Sequence, residues 1–524
     1  MVADSTPAWA GAARPGSTRI TPSRPQARWS RAPSRGGADA RTGAFSRNRA
    51  AVSAVDRAVP PSAAARAGGR RAARVLLALA FAGLVPALAG AAGSGAARDR
   101  VAVARAAVTT AHGRAWRGHG TLAFVTGGQL GLLDRAGGLH MAKGRGIVSQ
   151  PAVSPTGGWV AYLRQGRAPG ATPYAPPPPA LWAVRPDGSA DHRVAADVAT
   201  FAWSPTGQRL AYVTEAGLGS VYLAPTPEAP PFLVTTGSAV RLELGGIAWS
   251  PTGSRLAVAV GFPGPAGGPP TGGLATLSAR AGAVPHVLYR ERGNGVELAG
   301  WWPSGRGLLF WLDPQNSQSI AADGLPLESL PRSGGTPHRL VVMLAHPSWL
   351  AWSPDRTTLA IGAGGDRTIW AGGKAIVLCS MPAASCHPLP QPAGVISYQP
   401  TWTAAGALAF VRARATGPFA PDQADVSAGR VRAWDATQAI WVAHRDGSSA
   451  RELRIAGTGA LRPRWSGSAL LYVHADALWL VARPGARPVA VAGPLTSPEP
   501  FVSGGFPDVY DGYQGWAQLY SWGR

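Results

Sequence analysis

The chain has 524 residues and a formal net charge of +23. Of its 50 basic residues only Lys143 and Lys374 are lysine, and it holds 68 Gly and 49 Pro, a pattern that fits the coding bias of a high-GC genome and so names no partner by itself. Two cysteines exclude a disulfide-dense scaffold and a multi-cysteine zinc or iron–sulfur domain.

Residues 1–74 carry 14 Arg against Asp4, Asp39 and Asp56, in a setting of Ala, Ser, Pro and Gly. Such a segment cannot bury enough apolar surface to offset its ordering entropy, and a disordered cytoplasmic tail is expected. Its arginines stand singly with few aromatic partners, so no nucleic-acid role is assigned to them. Residues 75–92 (VLLALAFAGLVPALAGAA) are uncharged and follow Arg66, Arg70, Arg71 and Arg74. At 1.5 Å per residue such a helix spans roughly 27 Å, close to the ~30 Å of a bilayer core. The basic flank predicts that the N-terminus stays in the cytoplasm and that the bulk of the chain is exported. Two readings compete, an uncleaved single-pass anchor and a signal peptide cut after Ala87-Leu88-Ala89, which would give a secreted protein. A linker over 93–115 leads to a repeat array over 116–524.

One phrase recurs through the array. Phe201-Ala202-Trp203-Ser204-Pro205-Thr206-Gly207 followed by Leu210-Ala211-Tyr212-Val213 is the clearest copy. Others run through Ser154-Pro155-Thr156-Gly157, Trp249-Ser250-Pro251-Thr252-Gly253 and Trp352-Ser353-Pro354-Asp355, and eroded ones through Trp302, Trp402, Trp465 and Leu122, with Trp116 ahead of the last. Equivalent positions fall at 122, 160, 210, 256, 308, 359, 408 and 470, a period near 50. Ser-Pro-Thr-Gly is turn chemistry between apolar strands. A second hairpin follows in most units, as in Leu181-Trp182-Ala183-Val184 before Pro186-Asp187-Gly188 and Ile440-Trp441-Val442-Ala443 before Arg445-Asp446-Gly447. Each unit is therefore four antiparallel strands. No stretch reads as a helix between strands, and an all-β propeller is expected, its strand edges protected by radial closure.

The phrase W-S-P-[TD]-G-x-x-L-A-[YF]-V resembles the repeat of TolB-like β-propellers, within the WD-repeat-like superfamily. Four copies match closely. Thr156, Thr206 and Thr252 stand where the family often has Asp, and Asp355 is followed by Arg356 instead of Gly. Eight phrases predict eight blades, or seven if the first or last phrase completes a shared blade. Trp516-Ala517-Gln518-Leu519-Tyr520 is expected as a last strand that latches the ring. The resemblance implies protein partners in the cell envelope.

The recurrent tryptophans, at the repeat period, are expected to fill equivalent sites between blades instead of forming a ligand platform. Cys379 and Cys386 flank one expected hairpin, and in an exported chain a disulfide is the natural reading. His387 is adjacent, but spacing places no fourth metal ligand. No H-E-x-x-H, G-x-S-x-G, Walker or Rossmann pattern occurs, so no catalytic residue, metal or cofactor is assigned. Connections between second and third strands vary from 4 residues (after Val473) to 17 (from Arg164), 13 (from Gly261) and 28 (from Arg412). The longest supplies a candidate binding loop with Arg412, Arg414, Asp422, Gln423, Asp425, Arg430, Arg432 and Asp435. The expected role is a monomeric, membrane-tethered, extracytoplasmic and non-enzymatic protein-interaction module. The alternative is a propeller that binds or processes a small molecule or glycan at its channel mouth.

Overall fold

The computed structural model describes residues 111–166, 177–264, 268–416, 433–495, 509–510, 513–514 and 516–523. The segments 1–74 and 75–92, and most of the 93–115 linker, lie outside them. No helix among the described residues is long and apolar enough to cross a membrane.

Eight four-stranded antiparallel sheets make up the array. Seven are continuous in sequence. Blade 2 is Ile147–Val153, Val160–Gln165, Ala180–Val184 and His192–Ala195; blade 3 is Val198–Trp203, Leu210–Thr214, Ser220–Ala224 and Phe232–Thr236. Blade 4 is Glu243–Trp249, Arg255–Gly261, Thr271–Ser278 and His286–Arg292; blade 5 is Asn294–Trp301, Gly307–Pro314, Leu325–Pro331 and His338–Met343. Blade 6 is Leu350–Trp352, Thr358–Ala363, Ala375–Ser380 and Ser385–Pro388; blade 7 is Val395–Trp402, Leu408–Arg414, Ala439–Ala443 and Arg451–Glu452. Blade 8 is Leu461–Ser466, Ala469–His474, Ala477–Val481 and Val489–Ala492. Blade 1 is composite: Thr121–Thr126, Gln129–Leu133 and Leu139–Met141 accept Tyr520–Gly523 as their innermost strand. Consecutive first strands pack on one another and fourth strands are the most exposed, so the first strands line the centre.

The count is therefore eight, with one blade shared between the ends of the array. The latch differs from expectation in one detail. Trp516–Gln518 is a 3-10 turn, and pairing starts only at Tyr520. In the register, Leu122 faces Trp522 as Leu210 faces Trp203, Leu256 faces Trp249 and Leu470 faces Trp465. Trp522 is thus the first blade's repeat tryptophan, delivered from the far end of the chain. Trp116 is not: it ends the helix Ala111–Trp116, donates to Gly120 O at 2.9 Å and packs on Trp522 with ring centroids 5.7 Å apart.

The repeat phrase has a physical explanation. In blade 4, Ser250 N donates to Arg255 O at 2.9 Å, Gly253 N to Ser250 O at 2.8 Å, and Arg255 N to Ser250 Oγ at 3.0 Å. A buried serine thus closes the hairpin from inside, and the same contacts recur at Ser154 and Ser353. The tryptophan before it reaches backwards. Trp203 Nε1 donates to Ala152 O at 2.9 Å, Trp249 to Ala202 O at 2.9 Å, Trp301 to Ala248 O at 3.2 Å and Trp402 to Ala351 O at 3.0 Å. Each indole ties its blade to the one before. In blade 5 the aligned residue is Trp301, not Trp302: Trp301 faces Leu308, and Trp302 takes the serine's place, buried against Trp352 at 6.4 Å between centroids.

Two outcomes check this architecture. Trp249→Ala should cost about 3–5 kcal/mol, the range for deleting a buried aromatic. Trp249→Phe should cost about 1 kcal/mol, from loss of one hydrogen bond. Denaturant titration reads both, and equal costs would dismiss the indole tie. Deleting residues 519–524 should shift the protein to higher oligomers on size exclusion, because Thr121–Thr126 gains an open strand edge; an unchanged elution volume and melting temperature would show that the ring does not need the latch.

Candidate functional site

Antiparallel order puts the Ser-Pro turns and the third-to-fourth-strand turns at one end of the central channel. The second-to-third-strand loops and the crossovers between blades lie at the other. The two ends differ in chemistry.

At the turn end lies an open cavity of about 540 Å³, lined by Trp203, Trp249, Trp301, Ile247, the turn prolines Pro205, Pro251 and Pro303, and Arg356. The tryptophan N–H groups are spent on the neighbouring blades, so the rings offer the cavity only apolar surface. The packing role expected of them holds, and they also form an aromatic wall. Sequence periodicity carried this signal only in part, since Trp301 hid behind Trp302. Arg356 stands out. Gly253 and Gly305 occupy the left-handed region at its turn position, with φ 65° and 70°, and Arg356 adopts φ 64°. That conformation costs a non-glycine residue roughly 1–2 kcal/mol. Its partner in the turn, Asp355, accepts from Ser353 Oγ at 2.6 Å and pairs with Arg445 of blade 7; these contacts hold its carboxyl below the usual range.

At the loop end the strands run further than expected, and the long connections shorten to 166–179, 262–270 and 415–438. Two more join them, at 315–324 and 364–374, which the sequence reading did not single out. Of the candidate loop residues, Asp422, Gln423, Asp425, Arg430 and Arg432 lie outside the described residues. Arg412 and Arg414 belong to a strand, not to the loop. Arg412 is buried, donates Nε to Ser397 Oγ at 3.3 Å and stacks over Trp441 at 4.4 Å. Asp435 accepts from Gln438 Nε2 at 2.5 Å. Cys379 and Cys386 face each other across the outer strands of blade 6, with their sulfurs 2.05 Å apart.

Ionisable groups gather at this end. Glu297, on the first strand of blade 5, is pushed up to about 7 by burial and by Asp313. Burial raises Asp313 to about 6, although Ser317 N donates to it at 3.0 Å. On blades 6 to 8 the same end carries the buried Lys374 and Arg462 together with Asp366, Asp435 and Asp476. No group of three or more metal-ligating side chains occurs among the described residues. Both carboxyls bind protons more tightly folded than unfolded. The stability they contribute is full below about pH 4 and is lost as pH climbs to about 7. Melting temperature should fall across that window, and Glu297→Gln should flatten much of the fall; an unchanged slope in the variant would remove Glu297 as its source.

No family model and no curated protein matches the chain. Solved structures similar to it include a puromycin hydrolase, at 15% identity over 68% of this chain and 55% of that one, TM-score 0.44. TolB from Acinetobacter baumannii shows 14% identity over 52% and 64%, TM-score 0.32. An oligogalacturonate lyase from Vibrio parahaemolyticus shows 10% identity over 62% and 85%, TM-score 0.39. The chain spans about half the length of the first of these and of an acylaminoacyl peptidase from Pyrococcus horikoshii. Its eight four-stranded sheets make the chain an eight-bladed β-propeller, whose repeat phrase resembles that of TolB-like propellers.

Proposed function

We propose that this chain is a non-enzymatic protein-interaction module of the cell envelope, carried outside the cytoplasm and tethered to the membrane by residues 75–92. The observation that supports the reading is the turn-end cavity. Its walls are indole and proline, one guanidinium stands at its rim, and it is open. An apolar anchor from a partner chain needs such a pocket. Acid–base chemistry needs converging ionisable groups, and Arg356 alone among the cavity residues is ionisable. Arg356 holds its place at a conformational cost, which suits a side chain kept for contact.

The rival reading, a propeller that binds or processes a small molecule or glycan, draws on Glu297 and Asp313, two carboxyls of raised proton affinity in one blade.

A photo-crosslinker at position 356 should trap envelope proteins that one at Asp476, at the opposite end, does not. Arg356→Gly should leave the fold as stable or more so, since it relieves the left-handed strain, while partner capture drops severalfold. Capture that is equal from both ends, or unaffected by Arg356→Gly, would dismiss the cavity as the contact. Export has its own check: in cells Cys379 and Cys386 should resist thiol labelling until a reductant is added, and ready labelling would place the propeller in a reducing compartment.

A further inference from the structure

The turns around the open cavity form one continuous surface across blades 3 to 6. Gly253 of blade 4 packs against Ser204 and Thr206 of the turn before it, and Gly305 of blade 5 against Pro251. Trp302 meets Trp352 of blade 6 at 6.4 Å between centroids. The outer turns join the inner ones: Ala279 N donates to Ser254 O at 3.1 Å, and Arg332 N to Arg306 O at 2.8 Å.

Every blade of this surface carries arginine. Arg209 lays its guanidinium over the Trp249 ring at 4.9 Å and gives Nη2 to Gly253 O, so it spans blades 3 and 4 beside the cavity wall. Arg306 stands in the same turn as Pro303, and Arg356 lines the cavity itself. Arg255, Arg280 and Arg332 extend the rim. All but Arg209 are exposed, and among the described residues none of the six pairs with a carboxylate. The turns of these blades hold two carboxylates, Glu228 and Asp355, and arginines of neighbouring blades engage both: Arg185 at 3.0 Å, and Arg445. Glu215, Glu243, Asp313, Asp323 and Asp366 of the same blades all lie toward the loop end. A coding bias enriches arginine at both ends alike; it does not sort carboxylates.

Unpaired cations around a low-dielectric pocket add their fields and favour an anionic visitor, in encounter rate and in register. The chain's own N-terminal segment does not qualify, since residues 1–74 carry 14 Arg against Asp4, Asp39 and Asp56. A volume of about 540 Å³ lies within the roughly 300–1,000 Å³ of pockets that enclose small ligands, so it admits bulky side chains but no folded surface. Taking the cavity as the partner contact proposed above, we infer that the partner is acidic. An extended peptide segment seats one apolar side chain among Trp203, Trp249 and Trp301, and its flanking carboxylates meet Arg209, Arg306 and Arg356, whose planar guanidinium groups fit carboxylate oxygens.

The test presents the full chain to a peptide array. Every peptide holds Trp, Phe or Leu at its centre, and the flanking positions are drawn from Asp and Glu, from Ser and Gln, or from Lys and Arg. The acidic set should be retained above the other two. For its best member, followed by fluorescence anisotropy, replacing the central residue with Gly should abolish binding. Raising salt from about 0.01 M to about 1 M, which shortens the screening length from about 30 Å to about 3 Å, should weaken binding about tenfold. Arg306→Glu, in an exposed turn, should fold normally and weaken it severalfold, and Arg356→Glu should abolish it. Equal retention of the neutral set, binding that ignores salt, or an unchanged dissociation constant in both variants would overturn the acidic partner while leaving the cavity as a partner contact. Displacement of the peptide by single-stranded DNA at equal charge would overturn it too, because the rim would then be a general polyanion surface. So would self-association of the full chain that Arg306→Glu dissolves, which would assign the face to a second copy. Retention of no set at all also sinks the acidic partner, and crosslinking from position 356 then decides the partner reading separately.

Discussion

Everything in this fold depends on one antiparallel pairing between strands nearly four hundred residues apart. Tyr520–Gly523 lies against Thr121–Thr126, and the contacts around it reach three blades. Ser521 Oγ accepts from Val153 N of blade 2 at 3.0 Å, and Tyr520 OH reaches blade 8. Without this pairing the array would be an open stack with two free edges, the state that closed β architectures avoid. The channel, and hence both of its ends, exists only because the ring is shut.

The indole ladder is the second constraint. A tryptophan that gives its N–H to the preceding blade fixes how far each sheet is rotated against the last. It does so with an interaction that is short-range in space and about fifty residues long in sequence. The same residue leaves one face of its ring to the channel. Packing and contact surface are therefore two sides of one side chain, and a substitution there cannot separate them. Arg356 can be separated: it belongs to a turn, touches no core, and departs from its repeat by one residue.

Much of this was legible in the amino-acid order. Period, strand number per blade and the role of Ser-Pro-Thr-Gly follow from local rules of turns and alternation, and those rules act over ten residues or fewer. Trp301 and Trp302 show where they fail: two adjacent tryptophans satisfy the phrase equally, and only the pairing with Leu308 chooses between them. Trp116 misled for the opposite reason. Its distance from Leu122 imitates the repeat, while the residue that fills the position comes from the other end of the chain. The expected binding loop was partly misjudged, because Arg412 and Arg414 continue a strand whose outward limit depends on its neighbour.

The composite blade also has a temporal side. Three of its strands are among the earliest to be synthesised and the fourth is among the last, so the nascent chain must keep one edge of Thr121–Thr126 unpaired while seven blades are made. Through that interval biogenesis depends on whatever shields a naked β edge. A ribosome that stalls anywhere before residue 520 releases not a smaller propeller but a sticky one.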